Sequence, residues 1–181
     1  FTAGTADNQL VGNYIGTDAD GLDAIPNSRE TVHLDAASGT LIQDNLISGN
    51  AGVGIRLTGE GVYGNSIVGN WIGVDATGLA ALPNASGIVL DTGANGNTIG
   101  GADEGDRNVI SGNNGTGFQE GRGIDIALAP DNQVFGNYIG LNAPGTAALG
   151  NRFEGILVRD GSTGIQIGDF EIGRASCRER V

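Results

Sequence analysis

Hydrolysis of a glycosidic bond needs two carboxylates held at a set separation, and the pair that could supply them here is Asp91 and Asp125. Both lie in alternating segments, Ile88-Val89-Leu90-Asp91 and Ile124-Asp125-Ile126. If these are neighbouring parallel strands, the carboxyls sit diagonally, about 8 Å apart by pleat geometry, in the range of an inverting mechanism. Arg56 and Arg159 would flank them. The outward column would then read His33, Arg56, Val89, Asp125, Leu157. Its two apolar members break any convergence of acid, base and cation. The expectation is therefore no catalytic residue, with Asp91, Asp125 and Arg56 as the alternative and His33 as an exposed bystander.

Three aromatic residues suggest different chemistry. Tyr14, Trp71 and Tyr138 each stand between Asn and Ile-Gly. If they point outward two coils apart, they form a strip with about 10 Å spacing, close to two sugar units. Stacking on sugars is the use such a strip suggests. The competing reading is that each ring packs over the neighbouring turn of its own coil.

Metal chemistry has little to work with. Asp18-Ala19-Asp20-Gly21 looks like half of a calcium loop, and Asp75 repeats the position of Asp18. The later ligand positions are missing and the third repeat carries the uncharged Asn142, so an Asx-turn ahead of Gly is the simpler reading. No metal is expected, and calcium through Asp18, Asp20 and Asp75 is the alternative. Asp103-Glu104-Gly105-Asp106 beside Arg107 reads as a solvated loop with a local ion pair. With one His, one Cys and no Lys, Ser-His and Cys-His nucleophile schemes are close to excluded. Nine basic against 21 acidic residues give a net charge of −12. That balance repels nucleic acid and anionic lipid. No apolar run approaches the roughly 18 residues needed to cross a bilayer.

The elements that must position these residues follow from internal repeats. Segments starting at Asn8, Asn65 and Asn132 superpose without gaps: Gly12-Asn13-Tyr14-Ile15-Gly16, Gly69-Asn70-Trp71-Ile72-Gly73 and Gly136-Asn137-Tyr138-Ile139-Gly140. Each continues to a spaced Gly, Ala and Asn, at Gly21, Ala24 and Asn27 in the first. A second type lies between them, Asn45-Leu46-Ile47-Ser48-Gly49-Asn50 matching Asn108-Val109-Ile110-Ser111-Gly112-Asn113. Short alternating strands recur at Val32-His33-Leu34, Ile55-Arg56-Leu57, Ile88-Val89-Leu90, Ile124-Asp125-Ile126 and Ile156-Leu157-Val158. Such strands cannot bury an apolar face alone, so successive coils must stack. With 34 Gly and only 5% aromatic residues, a bulky globular interior is not expected. The fold class is all-β, a right-handed parallel β-helix of about five to six coils. Asn13, Asn50, Asn70, Asn113 and Asn137 each follow Gly and read as turn-formers that tolerate the left-handed conformation and as amide ladders.

Two features concern the ends. The chain opens at Phe1 without Met or a signal-peptide pattern, which reads as a cut. Residues 171–181, Glu171 to Val181, lack the repeat and look like the translation of a sequencing adapter. The expected organisation is a β-helix over 1–170, Cys-free and with net charge −13, and a non-native tail over 171–181 outside the fold.

These phrases, Gly12-Asn13-Tyr14-Ile15-Gly16-Thr17-Asp18 with its spaced Gly, Ala and Asn, and Asn97-Thr98-Ile99-Gly100-Gly101 followed by Arg107-Asn108-Val109-Ile110-Ser111-Gly112-Asn113, resemble the bacterial right-handed parallel β-helix repeat proteins. The resemblance covers nearly all of residues 8 to 169. It implies a module of a large secreted or surface-attached bacterial protein, with an architecture shared with pectate lyases. Fold kinship does not assign chemistry. The expected function is non-catalytic, a rigid extension or glycan-contacting surface with neutral polysaccharide as partner, located outside the cell or on its surface. The alternative is a polysaccharide lyase or glycoside hydrolase on the outward face of the alternating strands.

Overall fold

The computed structural model describes residues 1–2, 4–117 and 120–168, so the expected tail over 171–181 lies outside the described residues. Among the described residues sixteen short strands form three parallel sheets. The first sheet stacks β1 (Gln9–Val11), β4 (Leu41–Gln43), β7 (Ser66–Val68), β10 (Thr98–Ile99), β13 (Gln133–Val134) and β16 (Gln166–Ile167). The second stacks β2 (Tyr14–Ile15), β5 (Leu46–Ile47), β8 (Trp71–Ile72), β11 (Val109–Ile110) and β14 (Tyr138–Ile139). The third stacks β3 (Val32–Asp35), β6 (Val53–Thr58), β9 (Ser86–Asp91), β12 (Ile124–Ala127) and β15 (Ile156–Arg159). Each coil contributes one strand to each sheet, giving a β-solenoid of five coils with β16 opening a sixth.

Alternation within each strand sends one or two apolar side chains inward, and the parallel register stacks like on like. Ile55, Ile88 and Ile124 are consecutive partners in the third sheet, Ile42, Ile67 and Ile99 in the first, and Ile47, Ile72 and Ile110 in the second. All nine are fully buried. The core is thus a set of aliphatic columns, and the low aromatic content follows from its narrow bore.

The corners are held by Asn. Side-chain amides bond head to tail along Asn13, Asn45, Asn70, Asn108 and Asn137, with Nδ2 to Oδ1 distances of 3.0, 2.9, 3.0 and 2.8 Å. A second ladder runs through Asn27, Asn50, Asn84, Asn113 and Asn151, and a third through Asn65, Asn97 and Asn132. Of the five Gly-preceded Asn, Asn13, Asn70 and Asn137 therefore belong to the first ladder, completed by Asn45 and Asn108, and Asn50 and Asn113 to the second, completed by Asn27, Asn84 and Asn151. Their reading as left-handed turn-formers is corrected: the left-handed residues are the glycines before them, Gly12, Gly49, Gly69, Gly112 and Gly136, with φ of 66–74°. The turn and the ladder thus fall on adjacent residues.

The third ladder has one break. Thr40 stands between Asn8 and Asn65 in its column; its backbone N–H still donates to Asn65 Oδ1 at 2.8 Å. Asn8 Nδ2 and Thr40 Oγ1 are both buried without a partner. Thr40→Asn should join Asn8 to Asn65 and satisfy the orphaned amide. A gain of about 1–2 kcal/mol is expected from the added hydrogen bonds, read as a higher denaturation midpoint with an unchanged m-value. A neutral or lower midpoint would show that the column cannot accept the amide.

Two coil types alternate: among the described residues the first, third and fifth coils carry a bridged arm between the second and third sheets. Each arm closes on itself with an antiparallel bridge, Thr17 with Ala24, Val74 with Ala81 and Leu141 with Ala148. The arms stack through Ala76 N–H to Gly21 O and Ala143 N–H to Gly78 O, both 2.9 Å. A two-stranded arm is about two rungs tall, so its returning strand fills the level that the arm-less coil leaves open. Accordingly Gly49 N–H donates to Leu82 O at 2.9 Å and Gly112 N–H to Leu149 O at 3.0 Å. The fit is tight: a Cβ on Gly49 would stand 2.9 Å from that of Ala24, and one on Gly112 2.7 Å from that of Ala81. The repeated Gly and Ala positions are thereby explained by one contact.

Candidate aromatic cleft

The second sheet carries the aromatic column. Its register runs Tyr14, Leu46, Trp71, Val109, Tyr138, so the three rings sit two rungs apart with one aliphatic residue between each pair. Tyr14 is 55% exposed, and Trp71 and Tyr138 are half-buried. Each ring edge rests on the glycine of its own arm. A Cβ on Gly21 would meet Tyr14 Cε2 at 3.0 Å, one on Gly78 would meet Trp71 Cη2 at 3.2 Å, and one on Gly145 would meet Tyr138 Cε2 at 2.7 Å. These glycines also take positive φ, 67° at Gly78, so they serve the turn and the close approach together. The arm anchors one edge of each ring and leaves the space between rings to be filled or open.

The two intervals differ. Between Tyr14 and Trp71 lies a cleft of about 240 Å³, with Leu46 among its lining residues along with Asp44 and Ala76. Between Trp71 and Tyr138 the fourth coil inserts residues 101–107, which include a short 3-10 turn over Glu104–Asp106. Arg107 places its guanidinium 4.2 Å from the Tyr138 ring centroid and donates from Nε to Gly136 O at 3.2 Å. Its ion pair with Glu104 is long, 3.9 Å, and Glu104 is exposed. The sequence motifs do not single out Asp44 or Leu46, and they give Arg107 only as a partner of the acidic loop. The first two could have been found from Asn45, whose alignment with Asn13 and Asn70 puts Leu46 between Tyr14 and Trp71.

The third sheet holds the carboxylate candidates. Asp125 lies beside Val89 and Asp91 beside Ala127, which makes the two acids diagonal neighbours. Each is gripped by arginine. Asp91 accepts from Arg56 Nη2 at 2.6 Å, and Arg56 Nη1 donates to Glu30 at 2.9 Å. Asp125, 3% exposed, accepts from Arg122 Nη1 at 3.0 Å and from Arg159 Nε at 3.0 Å. Arg122 also donates to Glu154 at 2.9 Å, and Arg159 pairs with Asp160. The Arg122 hydrogen bond holds the Glu154 carboxyl below its ordinary range. Hydrogen bonding to Asp125 raises the Arg159 pKa, against the effect of burial. Burial alone would lower that of Arg56, but Asp91 and Glu30 outweigh it. The result is an array of fixed charges. His33 is exposed on the first rung of this face, opposite Arg56.

The calcium candidates sit in the arms. Asp18 Oδ1 accepts the backbone N–H of Leu22 at 2.9 Å and of Asp23 at 3.3 Å, which holds its pKa below the usual value. Asp75 Oδ1 accepts from Thr77 Oγ1, Leu79 N and Ala80 N. Asn142 Oδ1 takes the same part toward Thr146 and Ala147. An uncharged amide thus serves where Asp serves in the other arms, as a turn cap requires and a cation ligand does not. Asp20 is exposed at the first arm's tip. Among the described residues no three His, Cys, Asp or Glu side chains group so as to hold a metal ion, and no helix is long and apolar enough to cross a membrane.

Compared with known proteins, the chain matches no curated protein and no solved structure. A family profile described as periplasmic copper-binding protein (NosD) matches the chain over residues 3–169. A periplasmic family agrees with a location outside the cytoplasm. With the match spanning all five coils, this chain belongs to the NosD family of parallel β-helix repeat proteins.

Proposed function

We propose that this chain is a non-catalytic module of a larger secreted or cell-surface protein, a rigid β-solenoid that contacts neutral glycan through the cleft between Tyr14 and Trp71. The open cleft of about 240 Å³ carries the reading. Two rings two rungs apart, about 10 Å, match a pair of sugar units, and their apolar faces suit the C–H faces of a pyranose. Asp44 at the cleft gives a carboxylate that can accept from sugar hydroxyls. The net charge of −12 disfavours acidic glycans.

The enzymatic alternative uses Asp91, Asp125 and Arg56 on the third sheet. Both carboxylates here are engaged by guanidinium groups, Asp91 by Arg56 and Asp125 by Arg122 and Arg159, and Asp125 is almost wholly buried, an arrangement that suits a clamp better than contact with a substrate.

Copper, named in the family's description, is tested against the donor set. Copper sites are built mainly from His, Met and Cys. This chain has one His, one Cys and no Met; His33 stands exposed beside Arg56, and Cys177 lies outside the described residues. These residues do not fit a copper centre, so copper has no part in the proposed function.

Trp71→Ala tests the reading. Loss of an aromatic anchor should weaken binding to a neutral polysaccharide by about 1–3 kcal/mol. The half-buried ring should make its removal cost less stability than the roughly 3–5 kcal/mol of a core Trp. Glycan affinity and denaturation midpoint are measured on the one variant. Unchanged affinity with a large drop in midpoint would make the ring structural and defeat the proposal.

A further inference from the structure

We infer that Arg107 closes the glycan site after its second ring and so sets the length of chain the module takes; this rests on the glycan reading above. The three aromatic positions are equivalent by repeat and register, and a glycan laid along the solenoid axis would be expected to meet Tyr14, Trp71 and Tyr138 in turn. The fold departs from that equivalence at one place. In the fourth coil, residues 101–107 are inserted ahead of β11, between the second and third rings. The insert is tied to both neighbouring coils: Gly69 N–H donates to Asp106 O at 3.1 Å, and Arg107 Nε to Gly136 O at 3.2 Å. Gly69 and Gly136 immediately precede the Asn residues before Trp71 and Tyr138. The insert therefore stands across the path from one ring to the next.

Arg107 completes the closure, because its guanidinium lies over the Tyr138 face at 4.2 Å, where a sugar would stack. An arginine on an aromatic face is a favourable contact, so a glycan must displace it to use that ring. The open part of the strip is one interval, Tyr14 to Trp71, with room for about two sugar units at two rungs of about 4.8 Å. Arg107 is thus a specificity-determining residue that acts by occupying a subsite.

The experiment measures binding of β-1,4-linked gluco-oligosaccharides of two to six units to the intact chain, to Arg107→Ala and to Arg107→Ala/Tyr138→Ala. Wild-type affinity should stop rising once the two-ring cleft is full. Arg107→Ala should leave the disaccharide unchanged and raise affinity for the longest members about threefold to tenfold, the worth of one further stacking contact. The double variant should return to the wild-type length dependence. Tetranitromethane supplies a readout independent of sugar: Tyr138 should nitrate several-fold faster in Arg107→Ala, with Tyr14 unchanged. Affinity that climbs through six units in the wild type, or Tyr138 nitration unaffected by Arg107→Ala, would overturn the closure while leaving the glycan reading standing. Failure of every oligosaccharide to bind the wild type would instead overturn the glycan reading and the closure with it.

Discussion

Asn70→Ala should be among the most damaging single substitutions in this chain, lowering stability by about 3–5 kcal/mol. Asn70 is fully buried at the centre of its ladder. Its Oδ1 accepts from the backbone and the side chain of Asn45 at 3.0 and 2.9 Å, and its Nδ2 donates to Ile42 O, Val68 O and Asn108 Oδ1. Alanine removes the acceptor of the Asn45 backbone N–H and the side-chain donor to Ile42 O, Val68 O and Asn108 Oδ1, while its backbone N–H still reaches Asn108 Oδ1; in a site closed to water each buried group left unpaired costs about 1–3 kcal/mol. Asn70→Asp is the sharper control. It keeps the shape, but its side chain has no donor for Ile42 O, Val68 O or Asn108 Oδ1, and it buries a charge. It should be at least as destabilising as alanine. The end of the same ladder should tolerate loss: Asn13 is exposed, and Asn13→Ala should cost no more than about 1 kcal/mol, as water replaces the lost amide. Denaturation midpoints of the three variants check the gradient. Equal effects at Asn13 and Asn70 would show that the ladder does not act through buried amides.

The ladders and the columns they bracket are legible in the amino-acid sequence because they obey a local rule. Repeats of Asn-x-Ile and Gly-Asn fix a register, and a register places Ile55, Ile88 and Ile124 in one column without reference to anything distant. The aromatic spacing is legible for the same reason. The arms are not, since their partners lie in other coils: nothing local to Gly49 announces that it must nest against Ala24 and bond Leu82. The contact of Arg107 with Tyr138 is hidden because Arg107 lies in residues 101–107, an insert between the first and second sheets that the other coils lack, where repeat alignment carries no information. The carboxylates of the third sheet fall into place as diagonal neighbours, but Arg122, which pairs with Asp125, and Glu30, which pairs with Arg56, lie before the strands, in stretches where the spacing between coils varies.

Asp125 is where the structural and enzymatic readings of the third sheet part most clearly, because a clamp and a catalyst respond oppositely to its removal. A carboxylate kept for chemistry is held at a cost to stability, and replacing it often leaves the fold neutral or firmer. A carboxylate that joins two cations is different. Asp125 separates Arg122 and Arg159, whose side chains are 13% and 28% exposed. Its own neighbours in the column are the apolar Val89 and Leu157. Asp125→Ala would leave two guanidiniums facing one another across an apolar pocket, with Glu154 and Asp160 retained on their outer sides. Breaking a fully buried pair costs about 3–5 kcal/mol; with partial exposure and the outer acids kept, about 2–3 kcal/mol is expected. Asp125→Asn retains an acceptor but not the charge and should lose about half as much. The order alanine worse than asparagine worse than wild type, read from denaturation midpoints at low salt, identifies the clamp. A variant as stable as wild type or more so, together with wild-type release of reducing ends from a polysaccharide that the Asn variant abolishes, would instead make Asp125 an active carboxylate and restore the enzymatic reading.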